Sequence, residues 1–396
     1  MRFSWLDGLR EHCSTAGKAG RPKYERLRDG LVAQVESGLL APGDALPSEQ
    51  TLAEALQVAR STVRQSMASL ERDGFVRRIH GKGTFVHEQA RLRLRRGQDL
   101  FALIVPETQA GFYPSLQRSF EDAAAERNHQ VIVCNSSNDV DRQGNAILQL
   151  IDHRVAGVAI VPTTDPPTPS FQVRQLQRHG IPVVCCSRRV EGVSTPLLAI
   201  PFEEVGRRAG EAIREAGHHR AAFFGTMRTA AAEAYERGFR SAFLKKRAKA
   251  FVTTFYGSHP SPDPSTHERR IAEALDAILE SGDGPTAIFA SFDSLAESIY
   301  VLLGQRGLRV PQDVALVGFG GFRRPGVLAR RLTSVTVDEI RLGHEAVELL
   351  DRMSRGELPI DLDETRDMPL GLSEGLTLAH VTETSSSEGG ALLHHG

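Results

Sequence analysis

Between Val58 and Phe85 the chain reads "VARSTVRQSMASLERDGFVRRIHGKGTF". Arg60, Ser61, Thr62 and Arg64 crowd the start of a predicted helix whose buried face is Val63, Met67 and Leu70. After Asp73-Gly74, "FVRRI" and "TFV" are short β-type runs joined by His80-Gly81-Lys82-Gly83, which predicts a hairpin. Upstream, "YERLRDGLVAQVESGLL" repeats Leu27, Leu31, Val32, Val35 and Leu39 at helical spacing, and "APGDALP" stops it. Ser48 then offers an N-cap to "EQTLAEAL", where Leu52, Ala55 and Leu56 share a side. Three helices followed by a hairpin is the order of a winged helix-turn-helix.

That order gives the hydroxyls and cations a purpose. The second helix of such a pair lies in the DNA major groove and presents its first turns to base edges. Arginine pairs bidentately with guanine, and serine or threonine hydroxyls serve bases or phosphates. A helix start favours a phosphate, and a glycine-flanked wing tip passes close to the backbone or into the minor groove, with His80 and Lys82 as its polar reach.

Charge supports this division of labour. Residues 1–96 hold 17 Lys and Arg against 11 Asp and Glu, so six net positive charges, which leaves about seven net negative for the other 300 residues because the whole chain is −1. A basic front on an acidic body fits a polyanion-binding module joined to something else. A length of 396 residues exceeds one ordinary core, so two or more domains are expected. The cysteines are Cys13, Cys134, Cys185 and Cys186. The adjacent pair points to opposite faces of a predicted strand and is unsuited to a bridge, and no spacing suits zinc. A reducing cytoplasm follows as the expectation, with no metal and no cofactor. No apolar run approaches the ~18 residues of a membrane span, and residues 1–20 lack a signal-peptide core. They read as a flexible extension with one amphipathic turn through Phe3, Leu6 and Leu9.

From Tyr24 to Val86 the chain resembles the DNA-binding domain of GntR-family bacterial transcription regulators, carried by "PGDALPSE", "RSTVR" and "LERDGFVRRIHGKGTFV" in order. The resemblance implies DNA contacts from Arg60, Ser61, Thr62, Arg64, His80 and Gly81. With Ser48, Gln50, Lys82 and Gly83 these form the candidate DNA-binding set. The sequence departs from the pattern at Gln50, where an arginine is usual, and at Gln57 and Ala59, where glycine and serine are usual. Losing a serine N-cap costs ~1 kcal/mol of helix stability.

Residues 88–99 form a basic linker, "EQARLRLRRGQD", read as a solvated connector or as a strap tracking phosphates. Beyond it, apolar runs recur: "LFALIVP", "QVIVCN", "GVAIVP", "PVVCC", "PLLAI", "AAFFG", "TAIFA", "VALVGF" and "LTSVTV". Helical segments lie between most of them, including 114–126, 205–216, 235–245, 267–280 and 294–305. Such alternation predicts α/β architecture with parallel sheets buried on both faces and ligands at the strands' carboxyl ends. So many strands predict two lobes with a cleft, lobe 1 over about 100–201 and 322–350 and lobe 2 over about 202–321 and 351–380, with a disordered tail at 381–396.

The body resembles the effector domain of LacI/GalR-type regulators, itself similar to periplasmic sugar-binding proteins. "GLRVPQDVALVGFGG", "PTAIFASFDSLAESI" and "LTSVTVDEIRLGHEAVELL" carry that resemblance. It implies an effector between the lobes, and also shows what this chain lacks. Tyr235 stands where a sugar-gripping arginine is usual, Phe292-Asp293 where Asn-Asp is usual, and Gly320 where an aspartate is usual. Arg237 lies about 200° further round the helix and does not substitute. The remaining candidates are Phe112, Tyr113, Ser187 and Arg188, the last two where Asp-Arg is common. The aromatic residues at strand ends equally suit ordinary packing.

Enzyme readings fare poorly. Gly81-Lys82-Gly83-Thr84 lacks a phosphate loop's spacing, no Gly-x-Ser-x-Gly elbow occurs, no cofactor-lysine motif is found, and His218-His219 sit in a turn before a strand. The expectation is a cytoplasmic, homodimeric, non-enzymatic repressor on a palindromic operator, released or engaged by a small molecule. A ligand-free dimerisation body and a soluble ligand-binding protein stand as alternatives.

Overall fold

The computed structural model describes residues 22–88, 100–109, 111–225, 228–245, 250–256, 264–280, 284–324 and 326–381, with Trp5, Leu6, Leu9 and Ala90. The chain forms two compact units, residues 1–100 and 101–396. Most of the linker and most of the tail lie outside the described residues.

In the first unit the stripe Leu27, Leu31 and Val35 faces inward along α1 (Lys23–Glu36). Helix α2 (Glu49–Leu56) starts at Ser48, whose Oγ accepts from the Thr51 amide at 3.1 Å. It ends at Gln57, which adopts the left-handed conformation at φ 53°. Helix α3 (Arg60–Arg72) buries Val63, Met67 and Leu70 and is tied to α1 by Ser66 Oγ donating to the Tyr24 carbonyl at 2.7 Å. A short strand β1 (Ala45–Leu46) completes a three-stranded sheet with the antiparallel pair β2 (Val76–Ile79) and β3 (Gly83–Val86), in the order β1-β3-β2. This is the winged helix the sequence predicts. One expectation is corrected: Trp5 and Leu9, assigned to a loose extension, are buried in the same core as Leu52, Met67 and Phe75. Burying two large apolar side chains is enough to hold these residues in the core.

The body holds two six-stranded sheets. In lobe 1 the order is β14-β8-β7-β6-β4-β5, from β4 (Leu100–Val105), β5 (Gln130–Asn135), β6 (Gly157–Ile160), β7 (Val183–Ser187), β8 (Leu197–Ala199) and β14 (Thr365–Asp367). In lobe 2 it is β10-β9-β11-β12-β13-β15, from β9 (Arg220–Gly225), β10 (Phe251–Tyr256), β11 (Ala287–Ala290), β12 (Ala315–Gly321), β13 (Thr333–Val337) and the antiparallel β15 (Leu370–Ser373). The remaining helices are α4 (Tyr113–Glu126), α5 (Val140–His153), α6 (Ser170–Arg178), α7 (Phe202–Glu215), α8 (Ala230–Phe243), α9 (Pro264–Leu279), α10 (Asp293–Gln305), α11 (Val327–Arg331) and α12 (Glu339–Ser354).

The division between lobes differs from the sequence expectation. Strand β13 belongs to the second sheet, whereas the whole of α12 and β14 belong to the first: α12 packs on α4, β6 and β7, and β14 pairs with β8. The chain therefore crosses three times, at 200–201, 338 and 368–369. These crossings are laced together, with the Met368 amide donating to Ala199 O at 2.8 Å and the Asp338 amide to Pro369 O at 3.1 Å. Nothing in the apolar pattern marks the third crossing, because a three-residue edge strand has almost no periodicity.

Candidate nucleic-acid interface and interlobe cleft

The first turns of α3 expose Arg60, Ser61 and Arg64, while Thr62 is half-buried. Arg64 is not loose. Its Nε lies 3.3 Å from Glu49 Oε2, and Arg78 Nη2 lies 3.0 Å from Glu49 Oε1, so one glutamate at the start of α2 holds two cations from different elements. Among the described residues Arg60 and Lys82 have no acidic partner within ion-pair distance, which leaves both for an external anion. His80, Gly81, Lys82 and Gly83 are exposed at the tip of the β2–β3 turn. Ser48 caps α2, and Gln50 Nε2 donates to Glu54 Oε1 at 3.2 Å along its own helix. Glu49 and Arg78 were not singled out in the sequence; the "PSE" motif and the wing's double arginine were the available signals.

The cleft is lined differently from a sugar site. The candidates fall into two groups on opposite faces of β12, as alternation along a strand requires. On one face, Phe112 and Tyr113 have ring centroids 4.6 Å apart, Phe112 meets Phe319 of the other lobe at 6.3 Å, and Phe319 meets Tyr235 at 5.5 Å. Tyr235 is placed by two glycines: a Cβ on Gly206 would stand 2.0 Å from Tyr235 O, and one on Gly238 would stand 1.9 Å from Glu203 O, so α7 and α8 touch backbone to backbone. Ser187, buried at the end of β7 with φ 73°, is followed by Arg188. The Arg188 Nη1 donates to Pro162 O at 2.7 Å, and the guanidinium lies 6.0 Å from the centre of the Phe202 ring across the cleft. Burial raises the Tyr113 phenol and drives that of Tyr235 well above its ordinary range, against the lowering field of Arg188. Both stay protonated at neutral pH. Phe202 and Phe319 were missed as lining residues because each reads as an ordinary core aromatic.

On the other face, Asp293 fills the space beside Gly320. A Cβ on Gly320 would stand 2.2 Å from Asp293 Oδ2, and one on Gly318 2.3 Å from Oδ1. Asp293 accepts from Ser334 Oγ at 2.6 Å and pairs with buried Arg324 at 3.3 Å. The carboxylate that the sequence lacks at Gly320 is thus matched in space by Asp293, whose oxygens are engaged by Ser334 and Arg324. Phe292 packs at the edge of the outer core of lobe 2 instead of joining the ring cluster. Arg237 is exposed and faces Glu203, 3.5 Å away. His218 Nδ1 meets Thr286 Oγ1 at 2.9 Å at the far end of β9, and burial lowers its pKa.

Comparison with known proteins matches both halves. Residues 23–86 match the family "Bacterial regulatory proteins, gntR family", and residues 210–376 match "Periplasmic binding protein-like domain". The arabinose metabolism transcriptional repressor of Geobacillus stearothermophilus is 27% identical over 339 residues, covering 84% of this chain and 91% of that protein. Catabolite control protein A of Priestia megaterium is 26% identical over 261 residues, covering 64% and 75%. A LacI-family regulator from Enterococcus faecium, solved with bound ribose, superposes with a TM-score of 0.59 at 20% identity, covering 72% of this chain and all of that one. Among the described residues no helix is long and apolar enough to cross a membrane. A match to the gntR family followed by a match to a periplasmic-binding-protein-like domain, in that order on one chain, makes this protein a transcription regulator whose DNA-binding domain is similar to those of the gntR family.

Proposed function

We propose that the protein is a cytoplasmic repressor that binds a palindromic operator as a homodimer through α3 and the wing, and that a small molecule between the lobes sets its operator affinity. The observation that carries the reading is the exposed row Arg60, Ser61 and Arg64 on a helix whose opposite face is sealed in the core. Effector binding biases an equilibrium between two body conformations, and the coupling is the difference in affinity each state has for the ligand. The test uses anisotropy titrations on DNA from upstream of the protein's own gene at several salt concentrations. Arg60→Ala and Arg64→Ala should each weaken specific binding by ~1–3 kcal/mol, whereas Lys82→Ala should weaken all sequences alike and reduce the salt slope by about one. Wild-type affinity in both arginine variants would remove α3 as the reading helix.

A second reading, a body that needs no ligand, is favoured by one observation. A single apolar core runs from Phe112 and Leu116 in lobe 1 to Tyr235, Phe289 and Phe319 in lobe 2, so the lobes already meet through side chains.

A further inference from the structure

We infer that the interlobe cleft receives a flat, largely apolar molecule carrying one carboxylate, seated with its carboxylate on Arg188 and its body among the rings of Phe112, Tyr113, Phe202, Tyr235 and Phe319. This rests on the reading of the body as effector-responsive.

Arg188 has donors to spare. A guanidinium has five N–H donors and a charge that does not titrate away. Here Nη1 serves a carbonyl, but Nε is buried with no hydrogen-bond partner. Among the described residues no carboxylate lies within ion-pair distance of Arg188. Carboxylates that follow the neighbouring strands are committed elsewhere. Glu107 accepts from the amides of Thr108 and Gln109 at 2.7 and 2.6 Å. Asp293 is engaged by Ser334 and Arg324, and Glu339, fully buried, accepts from Ser115 Oγ at 2.8 Å and from the amides of Phe322 and Arg323 at 2.6 and 2.9 Å. A cation drawn among rings loses hydration, and a carboxylate both restores the charge balance and matches the guanidinium fork bidentately.

The surroundings choose the rest of the molecule. A sugar offers hydroxyl donors that need acceptors, and each nearby carboxylate is already occupied. Ring faces instead favour another flat π-system, stacked or edge-on. The two protonated phenols add O–H groups suited to carboxylate oxygens. Because rings of the two lobes touch, such a ligand enters as the lobes part and replaces ring–ring contacts with ring–ligand ones.

The experiment measures binding to the full-length chain by thermal shift, then by calorimetric titration of any compound that shifts it. The probes are benzoate, 4-hydroxybenzoate, phenylacetate and cinnamate, each beside its amide, with acetate, L-arabinose and D-ribose. At least one aromatic carboxylate should bind about tenfold or more tighter than its amide, the ratio expected of a hydrogen bond to a charged group. Acetate should give no shift, and Arg188→Gln should abolish the preference for acid over amide. The acid–amide comparison on the unaltered chain keeps the test decisive if Arg188→Gln does not fold. Equal binding of acid and amide overturns the inference. A shift with arabinose or ribose alone overturns it while leaving an effector-responsive body standing. Silence from every probe overturns it as well and favours the ligand-free body.

Discussion

Glu49 puts a negative charge on a face built to meet phosphates, yet it pairs with Arg64 and, together with Glu71, with Arg78. A free arginine gives up about 2 kcal/mol of side-chain freedom when fixed against a base, and prior orientation reduces that loss. Glu49→Ala should therefore split the two modes of binding: non-specific affinity rises with one less repulsive charge, while discrimination between operator and scrambled DNA falls by about tenfold. Parallel titrations on both DNAs read this, and a common rise on the two would show that Glu49 only repels. A second residue-scale expectation concerns the sugar-type acid missing at Gly320. Gly320→Asp should not create a sugar site; it should destabilise the body by ~1–3 kcal/mol, because its Cβ would collide with Asp293 and place a second carboxylate beside it. Denaturant melts of the two chains compare them directly, and unchanged stability would mean that α10 yields easily. The replacement of Arg, Asn and Asp by Tyr235, Phe292 and Gly320 was readable in the string, but the reach of Asp293 across to Gly320 was not, since it depends on how closely α10 lies over β12.

At the scale of elements, the turn between α2 and α3 carries two avoidable costs. Gln57 occupies a left-handed conformation that favours glycine, and Ala59 leaves the start of α3 without a side-chain cap. Gln57→Gly and Ala59→Ser together should stabilise the N-terminal domain by about 1–2 kcal/mol. The chain's single tryptophan, Trp5, is buried in that domain's core, so its fluorescence follows the unfolding of this domain alone. A lower midpoint would show that the present turn is tuned by something other than local conformation. The same elements show what the pattern of apolar residues conveys. Nine strands were legible as apolar runs, eight of them because they are almost wholly buried and the half-buried edge strand β5 because its middle four residues are apolar. Strand β10 was not, since "FVTTFY" lies at a sheet edge where half-burial admits threonines. Helix α8 begins at Ala230, five residues before the predicted start, because Thr229 caps an alanine run that has helix propensity but no apolar period.

For the whole molecule, two domains and two lobes followed from length, charge asymmetry and the change from helical to strand-like patterning near residue 100. Which lobe owns β13, α12 and β14 did not follow, because that is a question of which edge a short strand joins after the chain has crossed. The apolar seam between the lobes has a thermodynamic consequence. Two lobes separated by water would melt as two units, each with its own enthalpy, whereas lobes that share one core lose it together. Scanning calorimetry of the full chain should therefore show the body as one transition whose van 't Hoff and calorimetric enthalpies agree, beside a smaller event from the N-terminal domain. Phe319→Ala, which removes a ring touching Phe112 and Tyr235, should split that single transition into two. A body that already melts in two steps would mean that the seam is contact without cohesion. If the seam does bind the lobes, the regulator's switching and its resistance to heat draw on the same few rings, and a variant selected for one will shift the other.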